Sequence, residues 1–247
     1  MKFDFSGKTA LVTGATKGIG KAIAESFLEL GAKVVITGTK DVDVATLEKA
    51  GTKGRIHYLK VDFSDEQSTL EFLSGLEEIH KIDICVNNAG VNRIQEFSVT
   101  SLEDYEWIHT INLKAPYLVL KTVAEKMVQN GYGRIVNIAS IWSVVTRHSR
   151  SLYTTTKCGL VGLTKTLSVE LASKNVMVNA VSPGFTMTEL TLQTNTPEEI
   201  EKIAKLIPIE RFADTSEIAS VVIFLCSDLN TYLTGQNIVV DGGYTNI

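Results

Sequence analysis

Residues 9–20, with the sequence TALVTGATKGIG, decide the fold of this chain. A short apolar run at 9–13 leads directly into a loop that contains three glycines. After the loop, apolar residues recur at the spacing of three and four that is typical of a helix, at Ile19, Ile23, Phe27 and Leu30. Gly31 follows immediately and is predicted to end that helix. A strand, a glycine-rich turn and a helix in this order predict the first unit of an α/β sheet.

The alternation of strand and helix continues to the end of the chain. Short apolar runs bounded by turn residues predict seven buried strands, at 9–13, 33–37, 55–61, 82–87, 134–139, 176–182 and Asn237–Val240. Strands that are apolar throughout belong to a sheet that is covered on both faces. Helical segments between the strands require parallel strands and right-handed crossovers. The expected fold is therefore α/β: a single domain over 1–247 with a doubly wound, Rossmann-type parallel sheet of seven strands and helices on both faces.

The composition excludes several classes of protein. The 247 residues are 44% hydrophobic and 21% charged with a formal net charge of −4, so the chain can bury a core and its overall field attracts neither nucleic acid nor anionic membranes. Three widely spaced cysteines form neither a disulfide framework nor a zinc pattern, and no metal site is predicted. The apolar runs fall short of the roughly 20 residues of a membrane helix, and the N-terminal residues show no secretory signal. A cytoplasmic location is expected.

One segment departs from the alternation. Residues 185–212 are rich in threonine and contain Pro197 and Pro208. Apolar residues at the centre of the segment have helical spacing, at Ile200, Ile203, Ala204 and Ile207. We predict a helical insertion that forms a substrate lid over the edge of the sheet.

The glycine loop is the first candidate binding site. Open parallel sheets bind ligands beyond the carboxyl ends of their strands, and the loop follows the first strand. Glycines let the backbone approach a pyrophosphate closely, and the helix N-terminus presents free N–H groups and a partial positive charge. The spacing differs from the usual GxGxxG fingerprint, and a simple strand-to-helix turn is the alternative. We interpret the loop as a cradle for the phosphates of a dinucleotide, with contacts from Gly14, Thr16, Lys17, Gly18, Ile19 and Gly20.

The charges near the second strand indicate which dinucleotide is preferred. A ribose with a free 2′-hydroxyl requires a carboxylate roughly 20 residues past the glycines, and here the first acid after the strand is Asp41. Lys17, Thr39 and Lys40 instead offer positive charge and a hydrogen-bond donor to a 2′-phosphate, unless the lysines are simply solvated. NADP(H) is therefore the preferred cofactor, and NAD(H) is the alternative.

Asp62 and Phe63 follow the third strand and are predicted to lie beside the adenine. Asp62 would accept a hydrogen bond from the adenine amino group. The alternative is that Asp62 caps the next helix, a role that Ser64 could fill equally well.

Further motifs follow the later strands, and together they resemble those of a known family. They are Asn87-Asn88-Ala89-Gly90, Asn112, Ser140, Tyr153-Thr154-Thr155-Thr156-Lys157, Pro183-Gly184 and Asp241-Gly242-Gly243. With the glycine loop, these motifs resemble in kind and order those of the short-chain dehydrogenase/reductases over essentially the whole chain. The resemblance implies an oxidoreductase that transfers a hydride between a nicotinamide cofactor and a carbonyl or secondary alcohol.

The chemistry of three of these residues follows from their types. Tyr153 and Lys157 are four residues apart and share one face of a helix. A phenol ionises near pH 10, and a nearby positive charge lowers its pKa, so Lys157, an oxidised nicotinamide and a low local dielectric together are expected to bring the pKa of Tyr153 toward neutrality. Ser140 can hydrogen-bond a substrate carbonyl and hold it against Tyr153, which then gives or takes the proton. Taken singly, each residue could have a structural role.

The resemblance assigns roles to the remaining residues. Asn112, within a helix predicted from Tyr105 to about Met127, would complete the catalytic set by holding a water that relays protons toward Lys157. The implied contacts with the ribose and the nicotinamide are Asn88, Ala89, Gly90, Tyr153, Lys157, Pro183, Gly184, Phe185, Thr186 and Thr188. A plain structural role in a turn or helix is the alternative for each of them.

The region of the tyrosine departs from the family pattern. Trp142 stands near a position where family members often carry glycine, and Thr155 and Thr156 replace small residues in the following helix. These changes are expected to alter the shape of the substrate pocket. Arg147 and Arg150 suit an anionic group of the substrate, such as a carboxylate or phosphate, and a solvated loop or subunit contact is the alternative.

The sequence is compatible with more than one class of substrate. Within the family, the chain most resembles 3-oxoacyl-(acyl-carrier-protein) reductases, whose carrier-bound substrate requires a basic docking patch. Lys174 matches one of the basic positions, whereas 128–130 is neutral where another is expected. A sugar or polyol dehydrogenase is a rival hypothesis, and a catalytically silent nucleotide-binding scaffold is a third. Family members are commonly homotetramers or homodimers, and by resemblance the contact would involve helices at 104–129 and 152–173.

Overall fold

The computed structural model describes residues 3–47 and 51–247, and its centre is a sheet of seven strands. The strands are β1 (Thr9–Val12), β2 (Lys33–Gly38), β3 (Ile56–Lys60), β4 (Ile84–Asn87), β5 (Gly133–Ile138), β6 (Val176–Pro183) and β7 (Asn237–Val240). Their order is β3-β2-β1-β4-β5-β6-β7, and every neighbouring pair is parallel. The order reverses between β1 and β4, so the carboxyl ends of these two strands open a crevice for a ligand.

Helices cover both faces of the sheet. They are α1 (Gly18–Glu29), α2 (Glu66–Glu78), α3 (Leu102–His109), α4 (Ala115–Gln129), α5 (Ser151–Leu171), α6 (Glu189–Thr194), α7 (Pro197–Ala204) and α8 (Thr215–Cys226). On one face α1 and α8 pack over a core that includes Phe27 and Val222. On the other face α2, α4 and α5 pack over a second core that includes Phe72, Val123 and Leu167. The predicted single doubly wound α/β domain is confirmed.

All seven predicted strands are present, with bounds that differ from the prediction by at most two residues. The largest difference is at β4, which begins at Ile84 although the apolar run begins at Ile82. Asp83 explains it, because its carboxylate accepts a hydrogen bond from the Thr9 N–H at 2.9 Å and ends the regular pairing there. Burial of an apolar side chain therefore extends slightly beyond the strand itself.

The end of α1 follows the sequence signal. Gly31 has a φ of +97°, which is a left-handed conformation. Its N–H donates to the Leu28 carbonyl at 3.2 Å, and the Ala32 N–H donates to the Phe27 carbonyl at 3.0 Å. This arrangement satisfies the last carbonyls of the helix and requires glycine at the turn.

The helix predicted from Tyr105 to about Met127 is interrupted. α3 and α4 are separated by a π-helical turn at Thr110–Lys114, where the Ala115 N–H donates to the Thr110 carbonyl. Pro116 gives the physical reason. It has no N–H to donate to the Asn112 carbonyl four residues back, so a regular α-helix cannot continue through this point.

The segment 185–212 contains α6 and α7, followed by turns. Thr196 and Glu199 form a reciprocal capping box at the start of α7. Ile207 is buried, and a Cβ on Gly242 would lie 2.9 Å from its Cγ2. The predicted helical character of this segment is therefore present, with Ile207 anchored against the turn that follows β7.

Within 3–47 and 51–247, no helix is both long enough and apolar enough to cross a membrane. In the same part of the chain, no group of three or more His, Cys, Asp or Glu residues is placed to hold a metal ion. Cys85, Cys158 and Cys226 are free thiols.

Candidate active site

The glycine loop after β1 is held in place by β2. The Gly14 N–H donates to the Thr37 hydroxyl, and the Ala15 N–H donates to the Thr37 carbonyl, each at 3.0 Å. Gly14 has a φ of +63°, and a Cβ there would lie 2.9 Å from the Ala89 Cα. Only glycine fits this position, because the loop adopts a left-handed conformation and touches the backbone of the segment after β4.

Asn88 joins the loop to the end of β4. Its side-chain amide donates to the carbonyl oxygens of Thr13, at 2.9 Å, and Gly14, at 3.0 Å. The Thr13 hydroxyl in turn accepts from the N–H groups of Asn88 and Ala89. Gly20 packs against the same side chain, since a Cβ there would come within 2.3 Å of the Asn88 Nδ2. The ends of β1 and β4 are thus one hydrogen-bonded unit.

A cleft of about 570 Å³ opens beside this unit at the carboxyl edge of the sheet. Twelve of the predicted cofactor contacts line it: Gly14, Thr16, Lys17, Gly18, Ile19, Thr39, Asp62, Phe63, Asn88, Ala89, Gly90 and Thr188. The sequence did not single out the other lining residues, which are Thr37, Gly38, Val61, Ser64, Val91, Trp107, Ile111 and Glu189. Most of them adjoin a predicted contact, so the position at a strand end was the available signal. Trp107 lies in α3 and Ile111 in the turn after it, and neither follows a strand, so that signal could not identify them.

The remaining predicted cofactor contacts do not line this cleft: Gly20, Lys40, Tyr153, Lys157, Pro183, Gly184, Phe185 and Thr186. Gly20 is buried in the contact with Asn88, and Lys40 is exposed, with its backbone carbonyl accepting from the Tyr58 hydroxyl. Gly184 packs against the turn after β7, where a Cβ would lie 2.7 Å from the Asp241 Cα. The structure therefore gives Gly20 and Gly184 packing roles and places Lys40 outside the cleft.

Asp62 lines the cleft but does not cap the helix that follows. Its carboxylate accepts from the N–H of Ser64 at 2.9 Å and from the Ser64 hydroxyl at 2.6 Å. Asp65 is the cap of α2, because its side chain accepts from the Ser68 N–H at 2.6 Å. The helix-cap alternative for Asp62 and Ser64 is wrong, since both precede the cap position.

The N-terminus of α1 faces the cleft and binds a carboxylate. Lys17, the residue before the helix, provides no side-chain cap, and the Gly18 N–H donates to the Glu189 Oε2 at 3.1 Å. Thr188, next to Glu189, lines the cleft and also caps α6 by accepting from the Thr191 N–H at 3.2 Å. The Gly18 N–H at this helix N-terminus thus accommodates a carboxylate, and a phosphate is also an anion. The residues present therefore fit the phosphates of a dinucleotide.

Asn112 lies in the π-helical turn and is almost completely buried. Its Oδ1 accepts from the Val91 N–H and its Nδ2 donates to the Val91 carbonyl, both at 2.8 Å. The Nδ2 also lies 3.3 Å from the Thr156 hydroxyl. The widened turn thus directs Asn112 toward the chain that leaves β4, and a Cβ on Gly90 would lie 3.3 Å from its Oδ1.

α5 brings Tyr153 and Lys157 to the end of β5. The Lys157 ammonium is buried and donates to the Ile138 carbonyl at 2.7 Å. Its Nζ lies 5.5 Å from the centre of the Tyr153 ring and 3.6 Å from where a Cβ on Gly90 would be. The Ser140 hydroxyl is close enough to the Tyr153 phenol to lower the pKa of Tyr153. The four predicted catalytic residues are therefore close together around Gly90.

Burial dominates the electrostatics of this cluster. It lowers the pKa of Lys157 to about 8, because a buried ammonium loses hydration. It also raises the pKa of the Tyr153 phenol, while the Ser140 hydroxyl and the charge of Arg150 act in the opposite direction. Lys157 does not lower the pKa of Tyr153 in this structure, because its own pKa of about 8 leaves the amine neutral at the pH at which the phenol titrates. The cation that acts on the phenol is Arg150.

The three predicted substrate residues have different surroundings. Trp142 is buried, and its ring meets those of Phe185 and Tyr244 edge to face at 6.2 and 6.3 Å between centres. Arg150 is half-buried, and its guanidinium carbon lies 5.4 Å from the centre of the Trp142 ring. Arg147 is exposed. The Trp142 ring and the Arg150 guanidinium therefore pack against each other, and we call this pair the Trp142–Arg150 wall. Arg147 is not part of it.

Thr155 and Thr156 do not face that wall. The Thr155 hydroxyl lies 3.4 Å from the His109 Nε2 on α3, and Thr156 is buried against Asn112. The expectation that both residues shape the substrate pocket is wrong, because successive residues of a helix point in different directions and these two point toward α3 and the π-helical turn.

A doubly wound sheet with an anion-binding glycine loop at its switch point defines a dinucleotide-binding α/β protein. Comparison with known proteins gives the particular family. Residues 14–245 match the family model described as enoyl-(acyl carrier protein) reductase. The chain belongs to the short-chain dehydrogenase/reductase family and is an oxidoreductase.

Three relatives illustrate the similarity. A 3-oxoacyl-(acyl-carrier-protein) reductase FabG of Aquifex aeolicus is 42% identical over 98% of this chain and 99% of its own length. An NAD-dependent glycerol dehydrogenase of Listeria innocua is 36% identical over 98% of this chain and 96% of its own length. The crystal structure of a gluconate 5-dehydrogenase from Burkholderia cenocepacia, in complex with NADP and tartrate, has a TM-score of 0.91 and 29% identity over 99% of this chain and 98% of that one.

Proposed function

We propose that this chain transfers a hydride between NADP(H) and a carbonyl or secondary alcohol, with Asn112, Ser140, Tyr153 and Lys157 as its catalytic residues. The observation that carries the proposal is the proximity of Ser140, Tyr153 and Lys157 around Gly90, beside the cleft whose glycine loop binds an anion. A phenol next to a hydroxyl and a buried amine fits proton transfer to a polarised oxygen.

The mechanism assigns each residue one task. The nicotinamide, when bound, supplies or accepts the hydride. Ser140 donates a hydrogen bond to the substrate oxygen and holds it at the phenol. Tyr153 gives its proton to that oxygen in reduction and takes the proton back in oxidation. Asn112 fixes the backbone of Val91, and its Oδ1 retains a lone pair that can hold a water for proton transfer toward Lys157.

The residues that would hold the cofactor divide into two groups. The glycine loop, Thr39, Asp62 and Phe63 would hold the adenosine and phosphates. Asn88, Ala89, Gly90, Tyr153 and Lys157, with Pro183, Gly184, Phe185, Thr186 and Thr188, would hold the ribose and nicotinamide. Segment 185–212 would serve as the lid, since Thr188 and Glu189 at its start line the cleft.

The direct test is NADPH oxidation, followed by absorbance, with a panel of ketones, oxo acids, sugars and acyl thioesters. At least one carbonyl compound is expected to be reduced in a reaction that depends on the enzyme. Absence of turnover with every compound, in a protein that binds NADPH, would favour the silent-scaffold alternative.

Three residues support the preference for NADP(H): two line the cleft, and a third, a carboxylate, is already paired with a lysine. Lys17 and Thr39 both line the cleft. Asp41, the first acid after β2, forms an ion pair with Lys60 at 2.8 Å. A 2′-phosphate would therefore meet a cation and a hydroxyl, with the first carboxylate after β2 already paired. NAD(H) is the alternative that the following measurement separates.

Lys17→Ala is expected to raise the KM for NADPH about tenfold or more and to leave the KM for NADH nearly unchanged, because only NADPH carries the 2′-phosphate. Steady-state kinetics with both cofactors measures the ratio. Lys121→Ala, on the exposed surface of α4, removes the same charge elsewhere and serves as the control. An equal effect of Lys17→Ala on NADPH and NADH would contradict the assignment.

Glu189→Gln is expected to tighten NADPH binding about threefold to tenfold, because the Glu189 carboxylate binds the Gly18 N–H that a phosphate would use. Fluorescence titration at low and high salt measures the effect, which should shrink as salt screens the repulsion. Glu29→Gln, at the other end of α1, is the matched control. Unchanged or weaker binding by Glu189→Gln would show that the carboxylate does not compete with the cofactor.

Two classes of substrate are supported by different observations. The sequence relatives include a 3-oxoacyl-(acyl-carrier-protein) reductase, and Lys174 is exposed after α5 where a carrier could dock. The relatives also include glycerol and gluconate dehydrogenases, which supports a sugar or polyol substrate. Turnover of an acyl thioester against a polyol or sugar acid distinguishes them.

We also propose that the chain assembles into a homodimer or homotetramer in the cytoplasm. The groove between α3, α4 and α5 supports the assembly, since it is lined by Tyr105, Leu113, Tyr117 and Leu163. Sedimentation equilibrium tests the subunit count.

A further inference from the structure

Arg150 is a cation that no acidic group within 3–47 and 51–247 neutralises. Among the described residues, every ion pair involves other side chains, so its guanidinium has no carboxylate partner. Its Nε–H is buried and has no hydrogen-bond partner within the described ranges. The Nε–H is closed to a ligand, but the terminal N–H groups of the half-buried guanidinium are accessible and have no acceptor in the described ranges. An anionic ligand can reach these groups and balance their charge.

The surroundings of Arg150 hold its guanidinium in one place. The group lies over the ring of Trp142, which packs edge to face against Phe185 and Tyr244. Those two rings contact each other at 5.2 Å between centres. Ser149, the residue before Arg150, has a φ of +64°, a left-handed conformation that residues other than glycine seldom adopt. An aromatic face and a fixed backbone turn pre-organise the cation for a ligand.

Arg150 lies close to Tyr153, the candidate proton donor. It precedes α5, whose first turn contains Tyr153. Burial and the charge of Arg147 lower the pKa of Arg150, whereas the phenols of Tyr153 and Tyr244 raise it. The Arg150 charge in turn acts to lower the pKa of Tyr153. These mutual effects indicate that the phenol and the guanidinium are neighbours.

We propose that Arg150 determines specificity by binding a carboxylate of the substrate, so that the substrate is an oxo acid or hydroxy acid. The inference rests on the proposed oxidoreductase function and names its substrate class. A carboxylate can accept side by side from the two terminal nitrogens of the guanidinium, which a neutral ester or thioester does far less well. It would also supply the counter-charge that the described residues do not provide.

The test compares 2-, 3- and 4-oxo acids with their methyl esters as substrates in the presence of NADPH. At least one acid is expected to have a kcat/KM about tenfold or more above that of its ester. Arg150→Gln should lower kcat/KM for that acid about 10- to 100-fold more than for its ester, with the difference mainly in KM, whereas the effect of the lost charge on Tyr153 falls on the kcat of both substrates alike. Arg150→Lys, which keeps the charge without the planar fork, should recover part of the preference.

A binding measurement accompanies the kinetics. The same acid, titrated calorimetrically into the NADP⁺-loaded protein, is expected to bind about 10- to 100-fold more weakly to Arg150→Gln than to the unmodified protein. Lys33→Gln removes a cation from the opposite, amino edge of the sheet and is the matched control. Thermal unfolding of each variant establishes that it is folded.

The outcomes separate the inference from the function on which it rests. Equal turnover of acids and esters by the unmodified protein, or an equal loss of both in Arg150→Gln, would overturn the role of Arg150 while the oxidoreductase function stands. Failure to reduce any acid, ester or ketone would overturn the proposed function itself. Calorimetry then still decides whether Arg150 binds a carboxylate.

Discussion

Tyr153→Phe is expected to lower kcat about 1,000-fold while NADPH binding stays within about twofold, because the change removes only the hydroxyl that transfers the proton. Rapid mixing with a substrate found in the panel gives the rate of the chemical step, and fluorescence titration gives the affinity for NADPH. The size of the loss reflects a proton transfer that no neighbouring group takes over, since the Lys157 ammonium donates to the Ile138 carbonyl instead.

The control for this change is Tyr232→Phe, at a tyrosine whose side chain is 96% exposed. It should leave both kcat and affinity unchanged. A rate for Tyr153→Phe within a few-fold of the unmodified rate would mean that another group, or solvent, protonates the substrate oxygen.

Lys157→Met is expected to make the fold more stable at pH 7 while lowering kcat at least about 100-fold. Burial lowers the pKa of Lys157 to about 8, so the folded protein binds this proton less tightly than the unfolded chain, in which the pKa is about 10.4. Keeping the ammonium charged in the core therefore costs on the order of 3 kcal/mol below pH 8. Methionine removes this cost but also removes the donor to the Ile138 carbonyl, which leaves a net gain of about 1–2 kcal/mol.

The pH dependence of the difference is the sharper measurement. The cost of the buried charge disappears as pH rises from about 8 to about 10.4, because the unfolded chain then binds more protons than the folded one and the unmodified protein becomes relatively more stable. Urea unfolding of both proteins at pH 7, 9 and 10.4 should therefore show a stability advantage of Lys157→Met that shrinks with pH and has reversed by pH 10.4, where only the lost hydrogen bond remains. Lys33→Met, at an exposed position, should show no such trend. A stability difference that stays constant over this range would contradict the lowered pKa of Lys157.

The fold could be predicted from the sequence because its signals are local. Each strand is a short apolar run between turn residues, and the end of α1 at Gly31 requires only a left-handed turn. The interruption between α3 and α4 was missed although Pro116 signals it. The spacing of apolar residues alone does not reveal a π-helical turn, because the helix continues in the same direction and only one turn contains an extra residue.

For the candidate site, the sequence predicted which strand ends border the cleft, but it did not predict which residues contact one another there. Residues at strand ends were found because parallel strands share one carboxyl edge. The contact between Gly18 and Glu189 joins residues 171 positions apart, and no local pattern encodes it. The pKa of Tyr153 depends on burial, which raises it and also lowers the pKa of Lys157 to about 8, and the depth of burial at one helical turn is set by distant elements that no local pattern encodes.

The hydrogen bonds from the Asn88 side chain to the carbonyl oxygens of Thr13 and Gly14 have a consequence for the thermodynamics of ligand binding. Hydrogen bonds within the protein already fix the loop, so a nucleotide would meet amide groups that need little further ordering. Most of the conformational entropy that a free loop would lose on association is lost during folding instead. Calorimetry should then show a smaller entropic opposition to nucleotide binding in this chain than in an Asn88→Ala variant, whose loop must be ordered by the ligand itself.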